Sequence, residues 1–151
     1  MKRRKIRSLS VSEIGMGCMG FSHGYGQVPG AGYAEEAIRE AFGYGCNFFD
    51  TAEGYGKELY YPGHNEEIVG RAVRGFRNEV VIATKLHIRP EAVEDCGSVY
   101  AAVRRHLERS LKNLQIDYVD LYYLHRINME VDNLEAVSYT HLRAHETPEH
   151  L

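Results

Sequence analysis

Three apolar runs in this chain each end in a single ionisable side chain, and that recurrence constrains the fold more than any other feature. Cys46 to Phe49 ends in Asp50, Val80 to Thr84 ends in Lys85, and Tyr118 to Leu124 ends in His125. Short apolar runs bounded by turn residues read as buried strands. The three ends stand 35 and 40 residues apart, close to one strand-plus-helix unit of a (β/α)8 barrel, which spreads about 250 residues over eight such units. Consecutive parallel strands carry all three to one rim. After Asp50, a small-residue turn, Thr51-Ala52-Glu53-Gly54, brings Tyr55 to the same lip.

The segments between the runs read as amphipathic helices. Ala34, Ala37, Ile38, Ala41 and Phe42 make one apolar stripe, with stop signals at Gly43 and Gly45. A second helix follows Pro62-Gly63-His64-Asn65. Its inward face is Ile68, Val69, Ala72, Val73 and Phe76, and Glu66 and Glu67 sit near its positive end. A third, from about Ser98 to Gln115, sets Tyr100, Val103, Leu107, Leu111 and Leu114 opposite Arg104, Arg105, Glu108, Arg109 and Lys112. Ahead of these, residues 2 to 14 fit a hairpin turning around Leu9-Ser10, and residues 13 to 19 fit the first strand of the sheet.

Four such steps with nearly continuous apolar strands require a parallel sheet covered by helices. Doubly wound and barrel folds share that pattern. A doubly wound sheet reverses its strand order and scatters the ends of consecutive strands, whereas a barrel gathers them, so the rim residues favour the barrel. The expected architecture is α/β: a partial (β/α)8 TIM barrel of about four βα units behind a short N-terminal hairpin. Gly15, Gly17 and Gly20 match a dinucleotide fingerprint by spacing. A loop rich in glycine from Phe21 to Gly32 separates them from the next helix, which rules out a Rossmann unit.

Composition narrows the function classes. A net charge of -3 and a pI near 6.2 argue against a nucleic-acid or membrane partner, and Lys2, Arg3, Arg4, Lys5 and Arg7 fit a solvated strand edge. Mean hydropathy is -0.41, no run approaches membrane-spanning length, and no apolar segment follows the N-terminal charges. The cytoplasm is the expected compartment. Cys18, Cys46 and Cys96 are odd in number and form no CxxC pair, as reduced thiols would.

The rim set of Asp50, Tyr55, Lys85 and His125 suits carbonyl chemistry. A phenol has a reference pKa of about 10, so one that trades protons near neutrality needs a contacting cation. A lysine supplies the cation, an aspartate aims it, and a histidine orients the carbonyl oxygen by a hydrogen bond. A reduced cofactor then supplies hydride. A strand-end lysine also fits a Schiff-base aldolase, in which Lys85 would be the nucleophile.

The sequence resembles the aldo-keto reductase family. The match rests on Gly15-Met16-Gly17-Cys18-Met19-Gly20, Phe49-Asp50-Thr51-Ala52-Glu53-Gly54-Tyr55-Gly56, Asn65-Glu66-Glu67-Ile68-Val69-Gly70, Ala83-Thr84-Lys85, and Asp117 through Arg126. It covers residues 1 to about 130. The resemblance implies a TIM barrel that reduces aldehydes and ketones with NADPH, with Tyr55 as general acid, Lys85 as the cation that tunes it, Asp50 as partner of the lysine, and His125 as carbonyl orienter. It places Met19, Gly20, Phe21 and Asp50 by the cofactor, implies a small-molecule carbonyl substrate, and assigns no metal. Some members of the family serve as cofactor-sensing subunits, which is the alternative reading. Oligomeric state is not legible.

Residues 1 to 136 are expected to form the N-terminal half of such a barrel. Residues 137 to 151, beginning Val137-Ser138-Tyr139-Thr140-His141, do not resemble the family's next helix and are expected to be a non-family tail, artefactual or disordered. His141, His145 and His150 within it have a spacing compatible with Zn2+. In the family, the second half of the barrel holds the adenosine phosphate and the nicotinamide. By itself the chain is therefore expected to be inactive, with strand edges and an apolar face exposed.

Overall fold

The computed structural model describes residues 1 to 138 except 25, 129 and 134. An antiparallel hairpin, β1 (Arg3–Ile6) and β2 (Leu9–Ser12), opens the chain. Its turn, Arg7-Ser8, lies two residues earlier than the sequence suggested, because Arg7, at φ 52°, takes the left-handed position and Leu9 is already paired with Ile6. All four residues of β1 are exposed, as a charged edge requires.

Four parallel strands follow in chain order, β3 (Met16–Gly17), β4 (Phe48–Asp50), β5 (Val81–Leu86) and β6 (Leu121–Leu124). Sequential order without reversal is the barrel arrangement, and the sheet is an open arc of four strands. The first strand is much shorter than residues 13 to 19. At Cys18 the chain instead turns into a 3-10 turn, Met19–Phe21.

The helices are α1 (Ala31–Gly43), α2 (His64–Val73), α3 (Pro90–Cys96) and α4 (Val99–Leu114). Sequence periodicity missed α3, a seven-residue helix with proline in its first turn, too short to show a repeating apolar stripe. Gly97 at φ 77° ends it, and the Ser98 side chain accepts from the Ala101 N–H to start α4. Tyr100, expected on the inward face of α4, is only half buried; Val99, Ala102 and His106 are buried.

The core fills the space between the helices and the outer face of the sheet. Phe49, Ile82 and Leu86 point outward from the strands, and Ile38, Val69, Val73, Val103 and Leu114 meet them from the helices. Alternation within strands sends Phe48, Asp50, Lys85 and Tyr123 to the other face. Helices α2 and α4 approach so closely that a side chain at Gly70 would meet the Leu114 carbonyl oxygen at 2.0 Å. After β6, Asp132 caps a helical turn that includes residues 135 to 138, and Ala136 joins the core. The remainder of the expected tail, with His141, His145 and His150, lies outside the described residues.

Candidate active site

The registers of the parallel ladder decide where the strand ends meet. Asp50 lies beside Ala83, and Lys85 lies beside Tyr123, so aspartate, lysine and tyrosine share the inner face. From there the Lys85 ammonium donates to the Asp50 carboxylate, to the Thr51 carbonyl at 2.8 Å and to the Tyr55 hydroxyl oxygen at 3.1 Å. Three donors meet three acceptors, which uses the ammonium completely.

Tyr55 reaches the lysine because its loop is laced onto β5. The Glu53 N–H donates to the Lys85 carbonyl at 3.2 Å, and the Tyr55 N–H closes the turn onto the Ala52 carbonyl at 3.1 Å. His125, held by its N–H on the Leu86 carbonyl at 2.8 Å, sets its ring edge-on to the Tyr55 ring with centroids 5.5 Å apart. Burial, and then the positive charge of Lys85, hold the His125 ring below the usual histidine range. It is neutral at pH 7 and keeps one N–H to donate. The structure thus brings Asp50, Tyr55, Lys85 and His125 together.

Met19, Gly20 and Phe21 form the turn that leaves β3. Its start is tied to Asp50, since the Cys18 N–H donates to the Asp50 carbonyl at 2.8 Å. Gly20 is exposed, with open space where a Cβ would stand. The buried side chain of Asn65 then joins the first loop to the second. Its amide donates to the Cys18 carbonyl and the Ser22 hydroxyl, both at 2.9 Å, and its oxygen accepts from the Thr51 hydroxyl at 2.7 Å. Cys18 is fully buried, and burial with the nearby Asp50 charge pushes its thiol up to about 12. It is an inert packing group.

Sequence reasoning did not assign two supporting carboxylates. Glu53 accepts from the His87 N–H and the His106 ring at 2.7 Å each and from Arg109 at 3.0 Å. Burial works against its charge, but these donors and the His106 interaction win and hold it below the usual carboxylate range. Glu66 is fully buried beneath Lys85's neighbour, accepting from the Thr84 hydroxyl at 2.7 Å and the Asn113 amide at 2.9 Å. Burial dominates there and pushes it up. Position near a helix start fits Glu66, but only packing reveals that its side chain faces inward.

The aldo/keto reductase family model matches residues 13–143. The chain belongs to the aldo/keto reductase family. Among curated proteins it is 36% identical over 135 residues to a probable aldo-keto reductase 1 of Glycine max, covering 87% of this chain and 37% of that protein. It is 38% identical over 133 residues to the aldo-keto reductase yakc [NADP(+)] of Schizosaccharomyces pombe, covering 84% and 37%. Among solved structures it superposes on the holo form of aldo-keto reductase AKR11C1 from Bacillus halodurans with a TM-score of 0.73 and 31% identity, covering 92% of this chain and 45% of that one. An aldo/keto reductase from Klebsiella pneumoniae in complex with NADP and acetate gives a TM-score of 0.61 and 33% identity, covering 80% and 38%. This aldo/keto reductase chain therefore spans less than half the length of these relatives, and its fold is part of their TIM barrel.

Proposed function

We propose that this chain supplies the proton-donating rim of an NADPH-dependent reductase that converts aldehydes and ketones to alcohols. The observation that carries the reading is the Lys85 ammonium bridging Asp50 and the Tyr55 hydroxyl. Because Lys85 donates to the phenolic oxygen, the phenolic hydrogen is free to point at a substrate oxygen in the open rim. When that proton leaves, the phenolate left behind already touches a cation. Neutral His125 donates its N–H to the same carbonyl oxygen and fixes its direction. Asp50 aims the Lys85 ammonium.

The residues present fit one end of the cofactor. The exposed Gly20 turn, with Met19 and Phe21 half buried on either side and Asp50 tied to its base, leaves room for a nucleotide's ribose against the first loop. Met19, Gly20, Phe21 and Asp50 would hold it there, and NADPH when bound supplies hydride to the carbonyl carbon. The geometry favours this reading over a Schiff-base aldolase. A nucleophilic lysine must present a free amine, and all three donors of Lys85 are engaged.

In a barrel completed with the matching second half of a relative, Tyr55→Phe is expected to abolish aldehyde reduction while NADPH binding persists. Retained turnover would overturn the assignment. These 151 residues expressed by themselves are expected to show no turnover and to self-associate. Among the described residues β3 and β6 each have one free edge. Sedimentation and an NADPH oxidation assay check both points, and a monomer with measurable turnover contradicts them.

A further inference from the structure

Three rim residues are each followed closely by an exposed cation: Lys57 after Tyr55, Arg89 after Lys85, and Arg126 after His125. Lys57, Arg89 and His87 line one recess of about 500 Å3 together with Gly54, the backbone neighbour of Tyr55. Arg126 does not line the recess; it follows His125, whose N–H is bonded to the Leu86 carbonyl beside His87, and its charge reaches the His87 ring. We propose that this collar recognises a carbonyl substrate that also carries an anionic group, a carboxylate or a phosphate, with Lys57 and Arg89 holding the anion beside His87 and Arg126 adding its charge from the next strand. The inference rests on the reductase reading and names its substrate class.

Among the described residues, no carboxylate lining the recess forms an ion pair with Lys57 or Arg89. The carboxylate at the floor of the recess, Glu53, is fully engaged by the His87 N–H, His106 and Arg109. Arg89 and Arg126 make no ion pair among the described residues, and Lys57 has only Glu58 at 3.7 Å, itself shared with His23 at 3.1 Å. On α3, Glu91 and Asp95 also line the recess, and Asp95 faces Arg105 at 4.0 Å. Burial and the charges of Arg89, Lys57 and Arg126 together push the His87 ring down against the opposing pull of Glu53. Lys57 and Arg89 thus face one recess, and the charge of Arg126 reaches the His87 ring in it, so an anion there would relieve their mutual repulsion. Arginine suits carboxylate and phosphate equally, through paired N–H donors.

Equilibrium dialysis of the 151-residue chain at fixed ionic strength tests the collar without cofactor or turnover. The probe is radiolabelled 4-oxopentanoate, compared with its uncharged methyl ester. The acid is expected to bind measurably tighter than the ester, and Arg89→Ala, Lys57→Ala and Arg126→Ala each to weaken it about two- to fivefold, the range for exposed charge pairs. The triple variant should bind acid and ester alike, with an unchanged circular dichroism spectrum. Displacement by inorganic phosphate rather than acetate identifies phosphate as the preferred anion, and the reverse identifies carboxylate. Equal retention of acid and ester by the native chain, or undiminished acid binding by the triple variant, overturns the proposal. Because no reduction is measured, that failure leaves the reductase reading standing, and a failed reductase assay leaves this binding result standing.

Discussion

The two faces of the four-stranded sheet divide the labour of the molecule. Outward, Phe49, Ile82, Thr84 and Leu86 are fully buried against the helices. Inward, Asp50 and Lys85 keep side-chain exposures of 31% and 15%, and Tyr123 is 37% exposed. Stability is concentrated on the face that chemistry does not use. The comparison extends to the two buried carboxylates that brace the rim. Glu53, answered by His106 and Arg109, is held below the usual carboxylate range, whereas Glu66, answered by uncharged hydroxyl and amide groups among the described residues, is pushed toward its neutral form. Depth of burial is similar in both. The charge of the partners decides the outcome.

The division predicts its largest effect at the outer face. Phe49→Ala is expected to cost about 3–5 kcal/mol by urea denaturation, through lost contacts and a cavity. On the inner face, Lys85→Met should cost only about 1 kcal/mol, because the Asp50 it leaves is partly solvated. Equal losses at the two sites would erase the distinction. Between the carboxylates, Glu53→Gln is expected to cost about 2–3 kcal/mol, since it strands buried His106 beside an uncharged partner. Glu66→Gln keeps the shape, with its oxygen accepting from the Asn113 amide and its new N–H donating to the Thr84 hydroxyl oxygen, and should cost less than about 1 kcal/mol.

The same pair predicts opposite limbs of a stability profile against pH. The folded value of Glu53 is lowered from 4.5, so its contribution is present above pH 4.5 and is lost as pH falls through the folded value. Glu66 is raised from 4.5, so its contribution is present below pH 4.5 and is lost as pH rises through the folded value. Urea midpoints across pH 3 to 8 in Glu53→Gln and Glu66→Gln should each remove one limb; loss of the same limb in both would break the contrast. His125, lowered from 6.5, should titrate below its unfolded value by NMR, and the stability tied to its neutral ring is lost as pH falls below 6.5. The smallest effect is expected at Tyr122, whose buried hydroxyl has no partner among the described residues. Tyr122→Phe should be neutral or stabilising by up to about 1 kcal/mol, read from the same denaturation curves.

Much of this arrangement was legible from residue order. A period of two in the strands and of three to four in the helices fixes which side chains share a face, and the 35- and 40-residue spacings place Asp50, Lys85 and His125 on successive strand ends. Local turn chemistry was less legible. Arg7 rather than Leu9-Ser10 makes the hairpin turn, and α3 is too short to carry a periodic signal.

By itself the sequence determined that strands alternate with helices, because that follows from periodicity within each segment, and its regular 35- and 40-residue spacing set the chemically suited side chains at successive strand ends. Only the tertiary structure decided that Lys85 spends its three donors on Asp50, Thr51 and Tyr55. It alone placed Asn65 between two loops and shifted Glu53 and Glu66 in opposite directions. Those outcomes depend on hydrogen-bond partners up to 56 residues away, and on how much water the packed helices exclude, neither of which has a periodic signature in the chain.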